Sequence, residues 1–337
     1  MSTVFISGAN GYIAQHIVKT FLSRGHRVVG SVRSAAKGQH LKKLFQSDFE
    51  YAVVPDIQSS GAFSSVFSRH PNISVVIHSA APSYHQGPKL QESIIDPMVN
   101  GTNALLEAAW DHEPVRKFVL TSSYGTMGMS RMLQPKSAPN ETITEESWTY
   151  TNKESATTKG PMVATMCGKV FSEQAAWEFL KRDMPQFELA SINPAFVFGP
   201  QAFDSEVKSV MNGSVEMLHQ FLKGKSSDRM PTLVPGSFYD VRDVAEAHYF
   251  AATSNKADSQ RLLLANGQFS SQQIANILRD NFPQLRDVVP EGNPQKIPKV
   301  KCPYDDSHTR ALFQHEPIGL EQSVVDTVAQ IIAAKQA

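Results

Sequence analysis

The sequence predicts an α/β fold, a doubly wound parallel sheet flanked by helices, with a smaller C-terminal substrate-binding lobe. Three observations predict it. Short apolar runs alternate with helix-length amphipathic segments through roughly the first 125 residues. Those runs are nearly continuous in apolarity, as strands buried on both faces must be. Beyond Ser123 the rhythm becomes more mixed, as expected for a second lobe interleaved with the last strands.

The expected strands lie at residues 3–7, 27–32, 50–54, 75–79 and 117–122, all rich in Val, Ile and Phe. Between them fall helical patterns at 12–23, 61–67 and 89–111, the last with a bend near Pro97. Strands alternating with helices imply right-handed crossovers and hence a parallel sheet. A long irregular stretch follows, then a helix at 163–183 and a strand at 187–192 closed by Asn193-Pro194. Further on, helices are expected at 206–223 and 241–253, a strand at 261–265, and a helix at 271–281 with Ser270 or Ser271 as its N-cap.

Composition bounds the function. The 337 residues carry 32 Lys+Arg against 32 Asp+Glu, with 41% hydrophobic and 19% charged residues, a globular make-up long enough to bury a full core. Charge balance argues against nucleic acid or an anionic membrane as a bulk partner. Two cysteines, Cys167 and Cys302, make neither a disulfide framework nor a zinc cluster, which favours a reducing, cytoplasmic setting. No run reaches the roughly 18 apolar residues of a membrane span. A strand-like run at 4–6 leaves no room for a leader peptide, so none is expected.

The first strand runs into Gly8-Ala9-Asn10-Gly11-Tyr12-Ile13-Ala14, which opens the first helix. In this spacing Gly8 permits a tight turn, Gly11 lets backbone approach a pyrophosphate, and Ala14 lets the helix pack closely on the sheet. The phosphates would sit at the helix N-terminus, where free N–H groups and the dipole favour anions. After the second strand, where an NAD site carries a carboxylate for the ribose, the chain reads Ser31-Val32-Arg33-Ser34. Residues 1–47 hold seven Lys/Arg and no Asp or Glu, leaving 25 against 32 in the remainder. Arg33, with Lys37 nearby, suits a 2′-phosphate, so the expected cofactor is NADP(H). Asp56-Ile57, after the third strand, is a candidate adenine contact, although a lone Asp there equally forms a turn.

On these residues the chain resembles the extended short-chain dehydrogenase/reductases, especially the fungal NADPH-dependent aldehyde and ketone reductases of the methylglyoxal type and the dihydroflavonol reductase-like proteins. Further anchors of the resemblance are Val119-Leu120-Thr121-Ser122-Ser123, Glu145-Glu146-Ser147-Trp148, Ala175-Ala176-Trp177-Glu178-Phe179, Asn193-Pro194 with Phe198-Gly199-Pro200, and Asp240-Val241-Arg242-Asp243-Val244-Ala245. The resemblance implies a Rossmann-type core at 1–160, with an active-site helix and sixth strand at 161–195 and mainly substrate lobe at 196–337. It implies a cofactor held by Gly8, Asn10, Gly11, Tyr12, Ile13, Arg33, Lys37, Asp56, Ile57, Ala80, Lys169, Pro194 and Val197. It also implies that Ser123 orients the substrate and that Lys169 anchors the nicotinamide ribose, with Asn100 supporting the lysine.

The family pairs that lysine with a tyrosine four residues earlier, on the same helical face. Here the position is Thr165, in Thr165-Met166-Cys167-Gly168-Lys169, and no tyrosine occurs between Tyr150 and Tyr239. A threonine hydroxyl is far less acidic than a phenol and its side chain is shorter, so Thr165 does not replace the acid. Three readings remain open. The chain transfers hydride to a carbonyl, imine or enone without a phenol, in specialised metabolism; or it performs a non-redox isomerisation, elimination or cyclisation; or it is a catalytically silent NADP-binding protein. Tyr124, beside Ser123, is a candidate substitute phenol, although strand alternation opposes it. His85, Met127, Met129, Met132, Met162, Met166 and Phe196 are candidate apolar substrate contacts, since methionines adapt to bulky ligands. Monomer and homodimer are both open, the helices at 89–111 and 163–183 being the candidates to pair.

Overall fold

The structure is a computed structural model and describes residues 2–46, 48–82, 89–130, 142–209, 213–298 and 303–336. Ten strands are present among them: β1 (Thr3–Ser7), β2 (Arg27–Val32), β3 (Phe49–Val53), β4 (Ile73–His78), β5 (Lys117–Thr121), β6 (Glu188–Pro194), β7 (Phe196–Phe198), β8 (Gly236–Asp240), β9 (Arg261–Leu264) and β10 (Gln268–Phe269). Seven form one parallel sheet in the order β3-β2-β1-β4-β5-β6-β9. The seven expected strands all appear, with boundaries within two residues. The order reverses between β1 and β4, which opens a crevice at their carboxyl ends.

Strand alternation divides the core into two layers. Val4, Ile6, Val75, Ile77 and Val119 face the helices Tyr12–Ser23 and Val241–Thr253. Phe5, Val76, Phe118 and Leu120 face Asp96–Trp110 and Pro161–Asp183. Each fully buried side chain of this kind contributes about 1.5–3 kcal/mol. A third core, with Phe198, Phe221, Phe238 and Phe269 at its centre, joins the small sheet β10-β8-β7 to the helices Ser271–Asn281 and Leu320–Gln336. The Ser270 hydroxyl caps the former by accepting from the Gln273 N–H. Near Pro97, a wide π-type turn, Gln91–Ile95, runs directly into Asp96–Trp110, with the proline in the first α-turn.

Two expectations need correction. The single helix expected at 206–223 is broken: a 3₁₀ turn at Asp204–Glu206, then Val215–His219 and another 3₁₀ turn at Gln220–Leu222. Buried Glu206 explains the break, because its carboxylate accepts from Gln15 Nε2 at 3.0 Å and meets His40 Nε2 at 2.6 Å, pinning this segment to the first half of the chain. The helix Ala35–Phe45 was not expected at all, since only Gly38 and Leu41 are buried on it. Gly38 is what lets it pack: a Cβ there would lie 2.1 Å from the Tyr51 ring.

Candidate active site

The nucleotide turn is built by close approach of two strand ends. Gly8 follows β1 at φ +66°, and a Cβ on it would lie 2.8 Å from Ala80 Cα, just past β4. The Ser7 hydroxyl accepts from the Ser79 and Ala80 N–H groups and meets His78 Nδ1 at 2.7 Å, holding both ends together. Gly11 is the N-cap of Tyr12–Ser23 and offers no side-chain cap, and the first turn carries no acid. Its first-turn amides, those of Tyr12 and Ile13 among them, therefore face the crevice without an intrahelical acceptor. The Tyr12 hydroxyl donates to Gly199 O at 2.7 Å, tying this turn to the second lobe. Asn10 is half-buried, with its carbonyl accepting from Gln15 Nε2.

Arg33 and Lys37 stand exposed beyond β2, and no ion pair engages either among the described residues. The absent carboxylate, the glycine cradle and these two cations fit NADP(H). Asp56 is exposed and accepts from the Gln58 N–H and the Ser59 hydroxyl, which holds its carboxyl below the ordinary value. Those bonds form a turn, the alternative weighed for it in the sequence. Ile57 packs on Gly101, where a Cβ would be 2.7 Å from its Cδ1.

The chemical half is carried by the end of β5 and the helix Pro161–Asp183. Ser123 lies two residues past β5, its Oγ accepting from the Gly125 N–H at 3.1 Å and lying 3.9 Å from Met166 Sδ. Lys169 Nζ donates to Thr121 O at 2.7 Å. Burial pulls this ammonium from the ordinary 10.5 down to about 8, with the Glu173 carboxylate opposing the drop. The Thr165 hydroxyl donates back to Pro161 O at 2.9 Å, so its proton is engaged within its own helix.

Several candidates occupy other places than expected. The Tyr124 ring folds onto its own helical turn, where a Gly128 Cβ would lie 2.6 Å from its Cε1, and it packs with Met127 and Leu263. Met127 is itself only 1% exposed and packs in a core cluster with Leu263, and Met129 is buried too. Phe196 packs edge-on against Phe269 in the core of the second lobe. Pro194 and Val197 are buried, and the Pro194 carbonyl accepts from the Tyr124 N–H. Asn100 lies exposed on its helix, whereas buried Thr102, two residues on, bonds His78 and Ser172. Met166 lies against Ser123, and Met162 is exposed near the start of the same helix. Cys167 is a free buried thiol. His85, Met132 and Cys302 lie outside the described residues.

The sequence reading missed Glu173 and Arg261. Glu173 is fully buried and Arg261 mostly so, with Arg261 Nε 2.7 Å from Glu173 Oε1. Glu173 was detectable as the residue one turn beyond Lys169 on the same helical face. Arg261 carried no such signal, since only the sheet order brings it there.

Among the described residues no group of His, Cys, Asp and Glu is arranged to hold a metal ion, and no helix is long and apolar enough to cross a membrane. The family model for the NAD dependent epimerase/dehydratase family matches residues 4–263. The putative NADPH-dependent methylglyoxal reductase GRP2 of Candida albicans is 39% identical over 98% of both chains. The NADPH-dependent methylglyoxal reductase GRE2 of Saccharomyces cerevisiae is 36% identical, again over 98% of each. The crystal structure of yeast methylglyoxal/isovaleraldehyde reductase Gre2 complexed with NADPH superposes with a TM-score of 0.93 at 36% identity, covering 99% of both chains. Sheet order, nucleotide turn and near-complete alignment agree, and the chain belongs to the NAD dependent epimerase/dehydratase family, among the extended short-chain reductases related to the fungal methylglyoxal reductases.

Proposed function

We propose that this chain is an NADP(H)-dependent oxidoreductase that reduces a small or medium, largely apolar carbonyl, imine or enone without a phenolic acid. The observation that carries the redox reading is its likeness, along almost its whole length, to reductases named as NADPH-dependent. When bound, the reduced nicotinamide supplies hydride; for a carbonyl, the product's other hydrogen arrives as a proton. Thr165 cannot deliver that proton while it is bonded to Pro161 O. Lys169 can, because an ammonium with a pKa of about 8 is charged at neutral pH and still a usable acid. Ser123 Oγ already accepts a backbone N–H, and its own proton meets only the weak acceptor Met166 Sδ at 3.9 Å, from which it can turn to a substrate oxygen. Met166 supplies a soft apolar surface beside it.

The test is a panel of aldehydes, ketones, imines and enones with NADPH. Stoichiometric loss of the nicotinamide absorbance is expected with at least one class. The engaged Thr165 hydroxyl favours a second reading, a non-redox isomerisation, elimination or cyclisation, and substrate conversion without any change in that absorbance would establish it and sink the first. For the cofactor, Arg33→Ala should weaken NADPH by about 10–100-fold, the worth of a charge-assisted bond to phosphate, and leave NADH nearly unchanged. Titration of cofactor binding checks this, and equal weakening of both refutes the 2′-phosphate assignment.

A further inference from the structure

One helical turn beyond Lys169 lies an ion pair whose acidic member is fully buried. Taking two charges out of water costs roughly what their attraction returns, so such a pair adds little net stability and its use must lie in what it holds. Glu173 holds the end of β5. Its carboxylate accepts from the Ser122 hydroxyl at 2.6 Å and from Asn193 Nδ2 at 2.9 Å. Ser122 is the residue before Ser123, and Asn193 Nδ2 also donates to the Ser123 carbonyl at 3.4 Å. Arg261 reaches the same carbonyl through Thr126, accepting at 3.3 Å the guanidinium's N–H and donating to Ser123 O at 2.8 Å.

Arg261 also gathers a motif to which no role has yet been given. Its Nη1 donates to the carbonyls of Glu145 and Ser147 at 2.8 and 2.7 Å, and its guanidinium lies 3.8 Å over the Trp148 ring. The chain segments around Ser123, Ser147, Lys169, Asn193 and β9 therefore meet at one pair of charges.

The electrostatic side follows from what surrounds Lys169. On its own helix that is Glu173; on β4, His78; on the Val241–Thr253 helix, His248; and on β5, the Thr121 carbonyl. Burial holds His78 down to about 3 and His248 to about 4, so both are neutral at ordinary pH. Burial works against the charge of Glu173 as well, but Arg261 and the hydroxyl hydrogen bonds outweigh it and hold the carboxyl below its usual value.

We propose that the Glu173–Arg261 pair is a positioning device for the site: it fixes Ser123 against the helix that carries Lys169 and sets a carboxylate one helical turn from that lysine. This rests on the roles given above to Ser123 and Lys169. The decisive measurement needs neither cofactor nor substrate. Competitive acetylation with acetic anhydride across a pH series, read peptide by peptide in a mass spectrometer, gives the Lys169 titration midpoint in the whole chain. In Glu173→Gln the midpoint moves about one pH unit lower, and Glu173→Asp, which keeps the charge, restores most of it. A midpoint unchanged in a folded Glu173→Gln protein overturns the proposal. If that variant does not fold, the double variant Glu173→Gln/Arg261→Met leaves no orphan cation, and the same downward move is expected. An unchanged midpoint there overturns it equally. With an active substrate, Glu173→Gln should also lower kcat by about 10–100-fold, the cost of a misplaced reacting group, with little change in the KM for NADPH. Absence of any hydride transfer in the parent chain would sink the redox reading while the acetylation comparison still decides this one.

Discussion

A Thr165→Tyr variant should reduce simple aldehydes about 10²–10⁴ times faster than the parent chain, the usual worth of a positioned general acid. The geometry for the gain is in place. Residues 165 and 169 stand one turn apart on the same helix, so a phenol at 165 would lie beside an ammonium, and a neighbouring positive charge lowers a phenol's pKa. The substitution also exchanges a hydroxyl bonded to Pro161 O for one that reaches beyond its own helix. Met166 is the residue that must yield, because its sulfur lies against both Ser123 Oγ and Gly125. Steady-state kcat for a small aldehyde, together with NADPH affinity, checks the result. An inert variant that still binds NADPH would show that the site has been rebuilt for another substrate geometry rather than stripped of one group.

The second large effect is expected at Lys169. Lys169→Met should lower turnover of the true substrate by about 10²–10⁴-fold, because one side chain carries both the ribose contact and the proton in the proposed reaction. The pH dependence has a definite sign. The folded pKa lies near 8, below the ordinary lysine value, so the ammonium is present below about pH 8 and is lost as pH rises through it. kcat/KM should therefore be flat at neutral pH and fall about tenfold per unit above pH 8. A profile level into the range of an ordinary lysine would refute the assignment of the proton to this group. Stability runs the other way: the unfolded lysine holds its proton to higher pH than the folded one, so deprotonation between the two values removes a burial cost and favours the folded state.

The sheet was legible because its strands are apolar on both faces and bounded by turns. Val4, Phe5 and Ile6 have no exposed side to disguise the pattern. The Ala35–Phe45 helix was hidden for the opposite reason: only Gly38 and Leu41 are buried on it, with Leu44 and Phe45 packing on the core at its last turn, too little for a 3.6-residue period to show. The small sheet escaped notice because its strands are two to five residues long. At the site, Ser123, Lys169 and Thr165 could be placed by resemblance to the family's motif. Orientation could not. Periodicity does not say that the Thr165 hydroxyl turns back on its own helix, or that Tyr124 curls onto Gly128. Nor does it say that Arg261, nearly a hundred residues along the chain, ends beside Glu173.

The two histidines beside Lys169 have a consequence for how the site responds to pH. With His78 and His248 both neutral above about pH 4 and Lys169 charged until about pH 8, none of the three changes protonation across the intervening span. These three side chains therefore contribute no change of charge beside the end of β5 between those values. Across that span turnover is expected to vary with the concentrations of cofactor and substrate rather than with the charge at these three positions.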